Sequence, residues 1–156
     1  MCGIVGFVGK TTREELSLML SAISHRGPDE SGIFWKENAG MGNVRLAIVG
    51  RADGHQPMLN ASGTLVITHN GEIYNHTNLR KILEKRGYAF RTKTDTEVIL
   101  AAYEEYGEKC VEKLEGMFAF AIWDGKKKQL FAARDRFGIK PLVYTLAPGK
   151  TFLFAS

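Results

Sequence analysis

The chain has 156 residues, 44% hydrophobic and 24% charged, the balance of a single soluble domain able to bury a sizeable core. Net charge is +4 but scattered, and the one run, Lys126-Lys127-Lys128, follows the turn pair Asp124-Gly125 and reads as turn solvation, so no nucleic-acid binding is expected. No stretch approaches the roughly 18 apolar residues of a membrane span and none opens like a signal peptide, so a cytoplasmic protein with reduced Cys2 and Cys110 is expected, with no membrane contact.

Residues 3–8 read as a buried first strand with Cys2 at its start. Thr12 and Glu15 have the spacing of a capping box, and Leu16, Met19, Leu20 and Ile23 fall on one face, predicting a helix that Gly27 stops. Extended segments are predicted at 33–36, 44–49 and 65–68. A second helix is expected over 75–87, with Leu79, Ile82 and Leu83 inward. A third runs over 94–107, capped by Thr94 with Glu97 and burying Ile99, Ala102, Tyr103 and Tyr106. Cys110 falls in a short helical segment, 108–115, as a small packing residue.

Beyond it the pattern changes. Residues 117–123, 129–133, 142–146 and 151–155 read as short strands, separated by turn signals at Asp124-Gly125, Phe137-Gly138 and Pro148-Gly149. Links this short pair successive strands antiparallel. The result is an α+β pattern over 1–156, without an internal repeat, low-complexity segment or linker. Because the last strand runs to Ser156, a truncated domain or a chain cut from something longer is expected.

The chemistry begins at Cys2. Only the initiator Met1 precedes it, and that residue is normally trimmed ahead of a small one. Trimming leaves a thiol and a free α-amine on the same residue. An α-amine has a reference pKa of about 7.7–8.0, so near neutral pH it can accept a proton and activate the thiol without a histidine. With Met1 retained the nitrogen is an amide and cannot serve as base. A small second residue is also common and without meaning, so the downstream residues decide.

Five clusters stand out: Met1-Cys2-Gly3-Ile4-Val5-Gly6, His25-Arg26-Gly27-Pro28-Asp29-Glu30-Ser31-Gly32, Arg45-Leu46-Ala47-Ile48, Asn70-Gly71-Glu72-Ile73-Tyr74-Asn75 and Thr94-Asp95-Thr96-Glu97. Singly, each has a structural explanation: a helix stop at Arg26-Gly27-Pro28-Asp29, a turn at Asn70-Gly71, a strand-surface charge at Arg45, a helix-dipole partner at Asp95. His25, His55, His69 and His76 are spaced too irregularly for a metal-ligand motif, and neither a metal nor a cofactor is expected.

Together and in this order, the clusters resemble the glutaminase domain of the class II glutamine amidotransferases, which belong to the N-terminal nucleophile hydrolases. The resemblance covers essentially the whole chain. Gly54-His55-Gln56-Pro57-Met58, Gly116-Met117-Phe118-Ala119-Phe120-Ala121 and Arg134-Asp135-Arg136-Phe137-Gly138-Ile139-Lys140-Pro141-Leu142 are most similar to the glutamine-hydrolysing asparagine synthetase branch. It implies a four-layer α-β-β-α sandwich of two antiparallel sheets. It also implies that Cys2 attacks the side-chain amide of L-glutamine to give a γ-glutamyl thioester, glutamate and ammonia. Asn70, through its side-chain amide, and Gly71, through its backbone N–H, would hold the oxyanion. Arg45 would take the α-carboxylate, and Asp95 with Glu72 the α-ammonium. Arg26 reads as structural, either ordering a loop over Cys2 or forming a framework ion pair, and His25 and His55, inside family motifs, would make structural hydrogen bonds.

The implied partner is a synthetase module of the ATP-pyrophosphatase type, a domain or subunit outside these residues. Two departures, Gly42-Asn43-Val44 where the family often has a histidine and Gly50 where it often has an aspartate, predict altered loop packing with activity kept. Two rivals remain at this point. One is a non-catalytic glutamine-binding regulatory domain, or an inactive fragment. The other is a thiol redox protein, for which the Cys-x-x-Cys pair is missing.

Overall fold

A computed structural model describes residues 2–46 and 54–156. Their strands form two antiparallel sheets, one of five strands and one of four. The first has the order β2 (Glu30–Lys36), β3 (Ala39–Arg45), β1 (Gly3–Val8), β9 (Thr151–Ala155), β8 (Val143–Ala147). The second runs β4 (Met58–Leu59), β5 (Leu65–Ile73), β6 (Gly116–Asp124), β7 (Gln129–Arg134). Helices α1 (Arg13–Ala22), α2 (His76–Glu84) and α3 (Asp95–Tyr106) cover them.

Strand alternation builds the layers. Successive side chains of a strand point to opposite faces. In β1, Val5 and Phe7 pack with Leu16 and Leu20 of α1, whereas Ile4 joins Met41, Val66, Ala121, Trp123 and Phe154 between the sheets. In β6, Phe118, Phe120 and Ile122 face the other way, into a core with Leu79, Leu83 and Ile99 of α2 and α3. The layers are therefore α1, five-stranded sheet, four-stranded sheet, and α2 with α3. This is the expected α+β four-layer sandwich.

Local differences have local causes. Helix α1 has its Thr12–Glu15 capping box but ends at Ile23, and a 3-10 turn, Ser24–Arg26, intervenes before Gly27. Strand β5 continues past Thr68 to Ile73, because β6 pairs with it along its whole length. The predicted strand over 44–49 reaches Arg45, and its remainder from 47 lies outside the described residues. Ile82 is 48% exposed, not inward, since Leu79 and Leu83 fill the contact to the sheet. Tyr106 is only half-buried.

Glu97 does not close a capping box on Thr94. Thr94 Oγ1 accepts the Glu97 N–H, but the Glu97 carboxylate reaches further back, to the N–H groups of Arg91 and Thr92. Strands β7 and β8 do not pair; the segment between them crosses from one sheet to the other. Asp135 makes that crossing rigid by accepting N–H bonds from Phe118, Phe137, Ile139 and Lys140.

Candidate active site

The start of β1, the end of β3, the second half of β5 and the N-terminus of α3 converge on one pocket. It is lined by Cys2, Arg45, Asn70, Gly71, Glu72 and Asp95, so all six residues singled out from the sequence meet there. The register explains how. Gly3 pairs with Val44 across β1 and β3, which sets Cys2 and Arg45 side by side at one end of the sheet. Cys2 is half-buried and its Sγ lies 3.6 Å from the Leu46 carbonyl, to which the thiol donates. Gly27 permits the close approach of the Ser24–Arg26 turn to β3, since a Cβ there would stand 2.4 Å from the Arg45 nitrogen.

Arg45 is buried and its Nη1 donates to Glu30 Oε2 at 3.3 Å, directly across the β2–β3 ladder. The other Glu30 oxygen takes exposed His55 Nδ1, so His55 makes the structural contact expected of it. His25 is exposed. Arg26 Nη2 is buried and has no hydrogen-bond partner among the described residues.

On β5, Asn70 is buried and its Nδ2 donates to Ser156 Oγ at 2.9 Å. Gly71 has φ +153°, and a Cβ there would sit 2.1 Å from the Met117 carbonyl oxygen. Only glycine fits, which brings the β5 backbone close to β6 while leaving Gly71 on the pocket wall. Asp95 is the first residue of α3, where the helix dipole favours its charge. Its Oδ2 accepts the Ile73 N–H and its Oδ1 the Thr96 N–H, both at 2.9 Å.

Gln56, His69, Thr96 and Lys140 also line the pocket, though the sequence reading gave them no chemical role. Gln56 Oε1 accepts the His69 N–H at 2.6 Å, and Gln56 Nε2 donates to Thr96 Oγ1 at 3.4 Å. His69 Nδ1 lies 3.1 Å from the same Thr96 hydroxyl. Burial pushes the His69 pKa below its ordinary value with help from Lys140, while Asp95 and Glu72 oppose the shift; the imidazole is therefore neutral near pH 7. Lys140 is buried, its N–H held by Asp135 Oδ2 and its carbonyl by Arg134 Nε. The one sequence signal for Lys140 was its place inside the Arg134-to-Leu142 motif.

The pocket thus holds a thiol, two side-chain amides (Asn70 and Gln56), two cations (Arg45 and Lys140) and two carboxylates (Glu72 and Asp95). That distribution of opposite charges is complementary to an amino-acid zwitterion, with the thiol and the Asn70 amide left for chemistry, since Gln56 is engaged by His69 and Thr96. Among the described residues no group of three or more His, Cys, Asp or Glu could hold a metal ion, and no helix is long and apolar enough to cross a membrane.

Comparison with known proteins gives the class. The glutamine amidotransferase domain model matches residues 1–156, and the chain belongs to that family. It is 44% identical over its full length to glutamine-hydrolysing asparagine synthetase 3 of Bacillus subtilis, and 47% identical to asparagine synthetase 1 of the same organism. In each case it covers 26% of the relative, so the chain spans about a quarter of the length of the curated proteins it matches. Among solved structures, the glutamine phosphoribosylpyrophosphate amidotransferase of B. subtilis superposes with a TM-score of 0.82 at 25% identity, over 99% of this chain and 41% of that one.

Proposed function

We propose that residues 1–156 hydrolyse L-glutamine to glutamate and ammonia through a thioester on Cys2. The supporting observation is that nucleophile, oxyanion donors and amino-acid-binding charges line the same pocket. After Met1 is removed, the α-amine of Cys2 takes the thiol proton. The thiolate attacks the side-chain amide carbon, and a C–S bond forms as the carbonyl π pair moves onto oxygen. Asn70 Nδ2–H and Gly71 N–H donate to that oxyanion; losing one such donor typically costs about 10²–10³ in turnover. The oxyanion collapses, the C–N bond breaks, and the departing nitrogen takes the proton from the α-amine as ammonia. Water then adds to the thioester and releases glutamate.

Selectivity follows from charge. Arg45 takes the α-carboxylate, and Asp95 with Glu72 the α-ammonium. A substrate lacking either leaves these groups desolvated and unpaired, so simple amides are rejected. The relatives are asparagine synthetases about four times as long, which supports a synthetase module of that type as the ammonia acceptor and a cytoplasmic setting.

The test is intact mass before and after treatment with the glutamine analogue 6-diazo-5-oxo-L-norleucine, paired with a glutaminase assay. A des-methionine chain that gains one adduct, lost in Cys2→Ala together with glutamate release, is the expected result. Cys110 stays unlabelled, since burial pushes its pKa up to about 12. A des-methionine chain that binds glutamine without adduct or turnover would establish the non-catalytic binding domain instead.

A further inference from the structure

We infer that Ser156 is a positioning residue for the oxyanion donor Asn70. The inference rests on the glutaminase reading above. A primary amide has a broad, two-fold torsion about its terminal bond, so Asn70 packed by shape alone would not aim its N–H groups in one direction. Its Nδ2 donates one hydrogen to Ser156 Oγ at 2.9 Å, in a region where both residues are buried. The amide is planar, so anchoring one N–H fixes the direction of the second, about 120° away. That second N–H is the one available to an oxyanion on the Cys2 adduct.

Ser156 is itself tied into the sheet by its backbone. Its N–H donates to the Ile4 carbonyl at 2.8 Å and its carbonyl accepts the Ile4 N–H at 3.0 Å. This extends the β1–β9 ladder one pair beyond Val5 and Ala155. Ile4 is two residues from Cys2. Asn70 belongs to the four-stranded sheet, whereas Cys2 and Ser156 lie at the ends of the neighbouring interior strands β1 and β9 of the five-stranded sheet. The Ser156 hydroxyl therefore bridges the sheets and sets the donor of one against the nucleophile of the other. A packing role would need only a small side chain; positioning needs the hydroxyl.

The experiment compares glutaminase kinetics of the wild-type chain, Ser156→Ala, Ser156→Thr, Asn70→Ala and the Ser156→Ala/Asn70→Ala double variant. Ser156→Ala is expected to lower kcat about 10-fold, the size of one net buried hydrogen bond, and to leave KM unchanged because Arg45 and Asp95 still hold glutamine. Ser156→Thr retains kcat. In the Asn70→Ala background the serine substitution has no further effect, since its target is gone.

A Ser156→Ala variant with wild-type kcat, or with the same loss on top of Asn70→Ala, overturns the inference. So does a variant that raises KM and lowers thermal stability in step. One further measurement needs no variant: exchange of the two Asn70 side-chain amide protons in the wild-type chain. One protected proton is expected; two fast ones overturn the inference. A wild-type chain without turnover or label overturns the glutaminase reading and this inference together. An active wild type with an indifferent Ser156 overturns this inference alone.

Discussion

Two aspartates are buried to nearly the same degree, Asp95 at 7% exposure and Asp135 at 5%, in chemically opposite settings. Asp135 receives four backbone N–H groups, about as many as an ionised carboxylate has lone-pair sites. Burial alone would raise its pKa, but the N–H groups of Lys140, Ile139, Phe118 and Phe137 outweigh it and hold the carboxyl below its ordinary value. Asp95 receives two N–H groups, from Ile73 and Thr96, and borders the pocket. A carboxylate saturated by backbone donors is a joint in the scaffold. One that is half-saturated beside an open cavity has acceptor capacity left for a ligand cation.

The sharpest way to break that distinction is to neutralise each aspartate in turn. Asp95→Asn should reduce kcat/KM for glutamine about 10–100-fold, mainly through KM, since a charge-assisted hydrogen bond contributes about 1.5–3 kcal/mol. Its melting temperature should fall by less than that of Asp135→Asn, because the amide NH₂ would face only one backbone donor, Ile73 or Thr96, where in Asp135 it would face two. Asp135→Asn turns an NH₂ toward backbone donors that need an acceptor, at a cost of about 2–4 kcal/mol. For a chain of this size that is a drop of roughly 5–15 °C in melting temperature. Activity would fall with it, because the Asp135 loop carries Lys140 to the pocket. Equal melting shifts in the two variants would erase the contrast.

Acid should separate the regions more gently. His69 has its pKa lowered from 6.5, so the unfolded chain binds the proton more readily than the folded one. Its stabilising contribution is complete above 6.5 and is lost as the pH falls through the lower, folded value. Asp135, lowered from 3.8, contributes fully above 3.8 and loses that contribution as the pH falls through its own folded value. Denaturant midpoints measured against pH should therefore decline in two stages on acidification. His69→Gln should remove the stage that begins below 6.5, and Asp135→Asn the lower one. A single stage untouched by His69→Gln would mean that the pocket histidine is not the group resisting protonation.

The site was legible in the sequence to the extent that its residues lie in short local patterns. Cys2 follows from position, Asn70-Gly71 and Asp95 from turn and cap chemistry made specific by a family resemblance, and Arg45 from a motif. Lys140 and Gln56 were legible only as motif members, because what makes them pocket residues is long-range. Asp135 must gather the loop before Lys140 reaches the pocket, and the Gln56 side-chain Oε1 must find the His69 N–H on β5. The same limit applies to the fold. Alternation and turn dipeptides placed the late strands within a residue or two. They could not say that β7 and β8 fall in different sheets, since that depends on Asp135 holding the crossing. Helical spacing alone points Ile82 inward, but Leu79 and Leu83 fill the contact and leave it exposed.

The smallest predicted effect tests whether a scaffold carboxylate can also tune the site. Glu30 resembles Asp135 in having its partners inside the protein, Arg45 on one oxygen and His55 on the other. It differs in being 28% exposed, so water screens the pair and limits its strength. Neutralising it in Glu30→Gln leaves Arg45 in place across the β2–β3 ladder, with a neutral acceptor where a charge had been. Two opposing terms follow. On the proposed reading, Arg45 loses part of its orientation, which would weaken its grip on the α-carboxylate, but it also loses a competing anion, which would strengthen it. A screened pair contributes about 0.2–1 kcal/mol, so KM for glutamine should shift less than about 5-fold, with kcat unchanged. The direction decides between the terms. A rise in KM assigns Glu30 to orienting Arg45, and a fall assigns it to holding Arg45 back, making it a weak counterpart of the substrate carboxylate.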